Sequence, residues 1–240
     1  MLEELNLSQC QKLHEIEDLK GLKSLKTLDL SYCTTLERLP DLLNSEMLEE
    51  LNLSQCQKLH EIEGLKGLKS LKTLDLSYCT TLERVRVVTL PDLSNSEMLE
   101  ELNLSQCRKL HEIEGLKGLK SLKTLNLSYC IALEKLPDLS NSEMLKELNL
   151  FRCLKLHQFA GLKSLEMLDL PCCTALERSL DLSNSKMLKK LKIAQCPKLH
   201  EIEGLESLKS LKTLDLSYCT ALERLPDLSN SEMLEELNLF

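Results

Sequence analysis

Ten of the eleven cysteines stand in one repeated frame, LxxLxLxxC, and that frame runs through nearly the whole chain. Clear copies are LEELNLSQC (Leu2 to Cys10), LKTLDLSYC (Leu25 to Cys33), LKTLNLSYC (Leu122 to Cys130) and LKKLKIAQC (Leu188 to Cys196). The frame cysteines are Cys10, Cys33, Cys56, Cys79, Cys107, Cys130, Cys153, Cys173, Cys196 and Cys219, separated by 23, 23, 23, 28, 23, 23, 20, 23 and 23 residues. A unit this short cannot bury its own apolar face, so copies at a fixed period must stack, each covering the next. The spacing predicts a solenoid, a single continuous domain over residues 1–240 without a linker. A solenoid offers long surfaces rather than an enclosed pocket, which turns the search for function toward binding.

Within the frame, the two central leucines alternate with a polar residue, the period of a short strand buried on one face. Leu5 and Leu7 are expected to point inward and Asn6 outward, as are Leu28 and Leu30 around Asp29. Stacked coils then form a parallel sheet of about eleven strands, roughly 50 Å long. After each cysteine, apolar residues recur about every third position, as in Leu13, Ile16, Leu19, Leu22 and Leu25. That spacing suits 3₁₀ or irregular turns on the return side. Two coil types alternate, one continuing QKLHEIEGLKGLKS and the other TTLERLPDLSNSEM. In the second type Ser94-x-x-Glu97, Ser140-x-x-Glu143 and Ser229-x-x-Glu232 read as capping boxes opening short helical turns. Pro40, Pro91, Pro137 and Pro226 fit where no ladder donor is needed.

One cysteine per coil is a packing role rather than a disulfide framework. A buried, reduced column follows, each S–H a weak donor to a backbone carbonyl. Reduced thiols place the chain in the cytoplasm or nucleus. Cys172 falls at an outward position and is expected to be the exposed thiol, alkylated first. The net charge of -8 argues against nucleic-acid binding. No apolar run approaches a membrane span and the first residues do not form a secretory signal. The Asn-Leu-Ser sequons at Asn6, Asn52, Asn103 and Asn126 read as by-products of the repeat.

The motif LxxLxLxxCxxLxxLPDLSN, best shown by Leu71 to Asn95 and Leu122 to Asn141, resembles the leucine-rich repeats of plant intracellular immune receptors of the nucleotide-binding type. The resemblance covers essentially the whole chain. It implies an α/β horseshoe with a concave parallel sheet and a convex side of irregular, 3₁₀ or short helical segments. It also implies a sensor that recognises a pathogen effector or a guarded host protein. No GxxxxGK[ST] loop is present, so no nucleotide site carries over, and no cofactor is expected. The cysteine-type repeats of F-box ubiquitin-ligase adaptors are a second relative, and a structural scaffold a third reading. Both ends lack a polar capping repeat, which points to a fragment of a longer protein and to end-to-end self-association.

No catalytic or metal set emerges. His14, His60, His111, His157 and His200 repeat one slot about two coils apart, too far for two to share an ion. Recognition of a protein partner is placed on the outward strand positions of the concave face. There the frame loses its regularity between Lys146 and Gln195, with Phe151 and Arg152, then Met167, Pro171 and Cys172, then Lys189, Lys190 and Lys192. Five lysines and no acid lie between Lys186 and Lys198, which suits an acidic partner with an apolar tip. Tyr32, Tyr78, Tyr129 and Tyr218 form a second candidate row along one edge. The insertion Val85 to Thr89 is expected to bulge from the return side.

Overall fold

A computed structural model describes residues 2–16, 19, 21–39, 42, 44–60, 68–82, 98–111, 113, 116, 119–139, 141–159, 162–224 and 227–239. Each frame contributes one short strand: β1 (Glu4–Asn6), β2 (Thr27–Asp29), β3 (Glu50–Asn52), β4 (Thr73–Asp75), β5 (Glu101–Asn103), β6 (Thr124–Asn126), β7 (Glu147–Asn149) and β8 (Met167–Asp169). After β9 (Arg178–Asp181) come β10 (Lys190–Lys192), β11 (Leu199–Glu203), β12 (Thr213–Asp215) and β13 (Glu236–Asn238). Eleven of these make one parallel sheet, in the order β1-β2-β3-β4-β5-β6-β7-β8-β10-β12-β13. The solenoid expected from the period is the observed fold.

Register follows the frame. The central leucine of every strand lies opposite that of the next, from Leu5 against Leu28 to Leu214 against Leu237. A one-residue slip would turn all of these leucines to solvent, so burial locks the alignment. Leu25, Leu28, Leu30, Cys33 and Leu36 are fully buried, and the same slots repeat this along the stack. The coil between Cys153 and Cys173 is three residues shorter than its neighbours, yet Glu147 still faces Met167 and Met167 still faces Lys190. The shortening is absorbed on the return side. The loss of regularity between Lys146 and Gln195 is therefore chemical and not geometric.

The return side is a chain of hydrogen-bonded turns closing on the apolar residues at every third position. Leu13 N–H donates to Cys10 O (3.0 Å), Leu22 to Leu19 (2.9 Å) and Leu25 to Leu22 (3.1 Å). The return side also departs from the sequence reading. The capping box at Ser229 does not open a helix: Ser229 N–H donates to Asp227 Oδ1 at 2.8 Å, and a turn closes from Leu234 N–H to Ser231 O. A local side-chain acceptor has competed with the helix for that donor. A 3₁₀ turn of the kind expected from the spacing occupies Leu205–Ser207, in the other coil type. Gly204 before it has φ 83, and a Cβ there would lie 2.3 Å from Ser183 N, so this close approach needs glycine. A further departure is that β9 and β11 pair as a separate two-stranded parallel sheet. Ser94, Ser140, Pro40, Pro91, Pro226 and the insertion 85–89 lie outside the described residues, whereas Pro137 is buried outside any strand.

The cysteines form the column the frame implies. Cys33 Sγ donates to Leu7 O (3.2 Å), Cys56 to Leu30 O (3.2 Å), Cys79 to Leu53 O (3.3 Å) and Cys107 to Leu76 O (3.2 Å). The pattern continues from Cys130 to Leu104 O (3.1 Å), Cys153 to Leu127 O (3.2 Å), Cys173 to Leu150 O (3.2 Å), Cys196 to Leu170 O (3.4 Å) and Cys219 to Ile193 O (3.2 Å). Each of these nine thiols thus reaches back one coil. Cys10, in the first coil described, is exposed. Cys172 is half-buried, its S–H directed to Gln195 Oε1 at 3.1 Å. The expectation that Cys172 is the exposed thiol is corrected accordingly.

Burial pushes the thiols up from an ordinary 9 to about 12 at Cys56, Cys107 and Cys153, and well above 9 at Cys79, Cys130 and Cys173. The last rung differs: the Cys196 thiol, hydrogen-bonded to half-buried Cys219, holds Cys219 down to about 7 and is itself raised. Two outcomes follow. Native-state alkylation read by mass spectrometry should label Cys10 first, Cys219 and Cys172 next, and the eight buried thiols only on unfolding; early labelling of Cys107 or Cys130 would contradict the column. The stability contributed by the Cys56, Cys107 and Cys153 thiols should be complete below pH 9 and fall as pH rises from 9 toward about 12, because the unfolded chain loses thiol protons that the folded one keeps.

Candidate recognition surface

The turn that ends each strand decides which polar groups remain on the sheet face. The last strand residue is Asn or Asp in most coils, and its Oδ1 accepts the N–H two residues on: Asn6 from Ser8 (2.9 Å), Asp29 from Ser31 (2.8 Å), Asn103 from Ser105 (3.0 Å), Asp215 from Ser217 (3.0 Å). This is an Asx turn. The residue after it is left-handed in ten coils, with φ between 58° and 64° from Gln9 and Tyr32 to Gln195 and Tyr218. The outward Asn and Asp side chains are therefore engaged by their own turns rather than presented freely. The repeated Asn/Asp-Leu-Ser is the sequence signal for this, beyond the sequons and outward strand positions that the frame suggests.

Charges before and within the strands neutralise one another along the stack. Lys26 pairs with Glu3 (2.8 Å), Lys72 with Glu49 (2.6 Å), Lys123 with Glu100 (2.6 Å) and Lys212 with Glu235 (3.0 Å). Each exposed pair contributes only ~0–1 kcal/mol. The hydrogen bond from Lys72 holds the Glu49 carboxyl down, and that from Lys189 does the same to Glu166. Glu166 binds Lys189 at 2.6 Å and Lys146 at 3.4 Å. Lys189, read from sequence as a free anchor, is thus committed within the chain. Among the described residues the side chains of Lys190 and Lys192 make no hydrogen bond or ion pair, and both are exposed on β10.

The remaining candidates lie on adjoining coils, Tyr129, Phe151 and Arg152 in the turns that follow β6 and β7 and Met167 within β8. Phe151 meets Tyr129 edge to face, with ring centroids 5.1 Å apart, and the Arg152 guanidinium stands 5.5 Å from the Tyr129 centroid and 6.0 Å from that of Phe151. Such stacking fixes an otherwise mobile arginine over an aromatic base. Met167 on β8 is aligned between Glu147 and Lys190. Strand order thus gives one continuous stretch across β6, β7, β8 and β10. Tyr32, Tyr78 and Tyr218 hold the same slot as Tyr129 but stay apart, 50%, 40% and 65% exposed; Tyr129 alone is covered, by Phe151 and Arg152. The five histidines are exposed, with His60 Nδ1 within 2.9 Å of Lys58 O.

Pro171 breaks the Asx turn in the middle of this stretch. Proline has no N–H, so Asp169 Oδ1 is left buried without a partner among the described residues. Burial pushes the Asp169 carboxyl up; Lys192 on β10 pulls it down, and Asp215 beyond adds repulsion. Pro171→Ser restores the donor and should raise stability by about 1 kcal/mol net of the lost proline stiffness. Because Asp169 is raised in the folded chain, its penalty is full at neutral pH and fades as pH falls below the folded value. The gain in urea midpoint should therefore be larger at pH 7 than in acid; an equal midpoint at pH 7 would contradict this account.

Comparisons with known proteins agree on the repeat class. A family model for Zer-1-like leucine-rich repeats matches residues 16–85, and a two-copy leucine-rich-repeat model matches residues 97–141. No curated protein matches the sequence. Among solved structures, an internalin (InlF) from Listeria monocytogenes is similar at 17% identity and a TM-score of 0.39, covering 98% of this chain and 86% of its own. The functional domain of InlJ from the same organism, described as including a cysteine ladder, is similar at 20% identity and a TM-score of 0.40, covering 99% of this chain and 63% of its own. The frame and the two matched stretches agree that residues 16–85 and 97–141 carry leucine-rich repeats, and the parallel ladder gives the chain the fold of a leucine-rich-repeat solenoid.

Proposed function

We propose that this domain is a non-enzymatic protein-recognition module, the sensor repeats of a plant-type intracellular immune receptor, and that its partner docks on the sheet face across β6, β7, β8 and β10. The plant-type reading is supported by the LxxLxLxxCxxLxxLPDLSN pattern, and an intracellular setting by a column of thiols kept reduced. The observation that carries the docking site is the pair Lys190 and Lys192. The other lysines of the sheet face described above are held by a glutamate, whereas these two are left for an external anion. Alternate residues of a strand point to one side, so the two ammonium groups emerge together, ~7 Å apart at the backbone. Met167 beside them and the Tyr129–Phe151–Arg152 stack supply apolar contact and a fixed cation. The fitting partner segment is extended, with two acidic side chains two residues apart and an aromatic or leucine neighbour. Its charge would be repelled by most of this acidic protein, which concentrates encounter at the exception. Cys172 follows β8 within this stretch and Tyr218 follows β12 beside it, whereas Tyr32 and Tyr78 follow β2 and β4 and lie outside the contact.

Fluorescence anisotropy with synthetic peptides of that pattern tests the site. Acidic peptides should bind in preference to amide-substituted ones, and Lys190→Glu with Lys192→Glu should weaken binding by roughly tenfold or more. Undiminished affinity in the double variant would remove β10 from the contact. The receptor reading has its own check: sequence on either side of this segment in the same reading frame should encode a nucleotide-binding domain, and an F-box there would replace the proposal.

A further inference from the structure

On the opposite rim of the sheet, the turn that begins each strand exposes two side chains, and their identity alternates from coil to coil. In one coil type Leu25 N–H closes on Leu22 O at 3.1 Å and leaves Lys23 and Ser24 outward. In the other Leu48 N–H closes on Ser45 O at 3.0 Å and leaves Glu46 and Met47 outward. The flanking Leu25, Leu48 and Ser45 are buried, so the turn has no other choice of which residues to show. Met47, Met98, Met144, Met187 and Met233 are accordingly 48%, 47%, 47%, 51% and 50% exposed. Between them stand Ser24, Ser70, Ser121, Ser164 and Ser210, smaller and half-buried. The rim is thus a comb of thioethers ~10 Å apart with a notch between each pair. A parallel row alternates in charge: lysine precedes each serine in sequence, and Glu46, Glu97, Glu143 and Glu232 precede four of the five methionines; within the chain Glu46 lies 3.4 Å from Lys69, both of them exposed. Exposed methionines are adaptable contact residues, and five in one repeated slot exceed the scattered apolar exposure of an ordinary surface.

A comb with a two-coil repeat is complementary to itself after a shift of one coil. We propose that this rim is the contact between two copies of the chain, packed antiparallel about a two-fold axis that passes between the Ser121 and Met144 coils. Coil order reverses across such an axis, so every methionine coil meets a serine coil. Met144 sits over the partner's Ser121, Met233 over the partner's Ser24 and Met47 over the partner's Ser210. The same operation sets Glu143 against the partner's Lys120, Glu232 against the partner's Lys23 and Glu46 against the partner's Lys209. Moving the axis by half a coil would place thioether on thioether and like charge on like charge, so the register is selected. Lys186 against the partner's Lys69 is the one mismatched pair. The alternative, end-to-end stacking in the sheet register, sets Glu236 opposite Glu4 and places Glu235 beside Glu3, all of one sign.

Sedimentation equilibrium over the micromolar range should find a dimer. The variant Met47→Lys/Met144→Lys/Met233→Lys, with unchanged circular dichroism, should dissociate at least tenfold more readily. Position is read by a second measurement: Ser24→Cys with Met233→Cys in a Cys10→Ser, Cys172→Ser background. These two sites are nine coils apart within one chain, ~45 Å, so a disulfide joining them must link two copies. Mild oxidation should give a covalent dimer that mass spectrometry maps to 24–233. A monomer throughout, a dimer indifferent to the lysine substitutions, or links only between like positions would overturn the proposal; the second result would point to the chain ends instead.

Discussion

The interaction on which the stack depends is the hydrogen bond from each thiol to a carbonyl of the coil behind it. By sheet register, the N–H of Ser31 should continue the ladder to Leu7 O. It is turned instead onto Asp29 Oδ1, and Cys33 Sγ takes its place at 3.2 Å from Leu7 O. The side-chain acceptor and the thiol are therefore two halves of one device. The acceptor ends the strand, the left-handed residue swings the chain inward, and the thiol satisfies the carbonyl that the ended strand would leave bare. A thiol suits the place because it is buried at little cost and still donates. The left-handed residue is not glycine in any of the ten coils, so a backbone cost of order 1 kcal/mol recurs at every turn and must be offset by the packing around it.

With the backbone fixed in this way, individuality is confined to the surface. Substitutions at β7, β8 and β10 change charge, aromaticity and one turn donor without moving the register by a residue. Pro171 forfeits its coil's hydrogen bond, and Lys192 replaces the acceptor in the next. Neighbouring coils that differ from the repeat while keeping its geometry are where a solenoid can carry a private contact, because each coil answers only to its neighbours. The lysine–glutamate pairing elsewhere on the face leaves little charge for a partner to meet, which makes the unpaired Lys190 and Lys192 stand out.

Periodicity made the strands, their order and the burial of the cysteines legible in the sequence. Leu28 and Cys33 occupy slots whose neighbours are the same slots one coil away, so spacing alone specifies their surroundings. Features that depend on competition for one donor were not legible. The Ser229-x-x-Glu232 pattern points to a helix cap, although Asp227 two residues earlier reaches the Ser229 N–H first. Asp29 falls at an outward recognition position, although its own turn holds Oδ1. Lys189 groups in sequence with Lys190 and Lys192, although of these three Glu166, one coil back, binds Lys189 and not the others. The pairing of β9 with β11 rests on backbone contacts between return segments whose sequences share no frame.

The S–H stretching region of the Raman spectrum, followed after transfer into heavy water, addresses the thiol column most directly. Eight of the eleven thiols are buried and hydrogen-bonded to carbonyls. The account predicts that most of the band is shifted by hydrogen bonding and resists deuteration until the chain is unfolded, with only a minor part exchanging at once. A band at the position of free thiols that vanishes on mixing would contradict it.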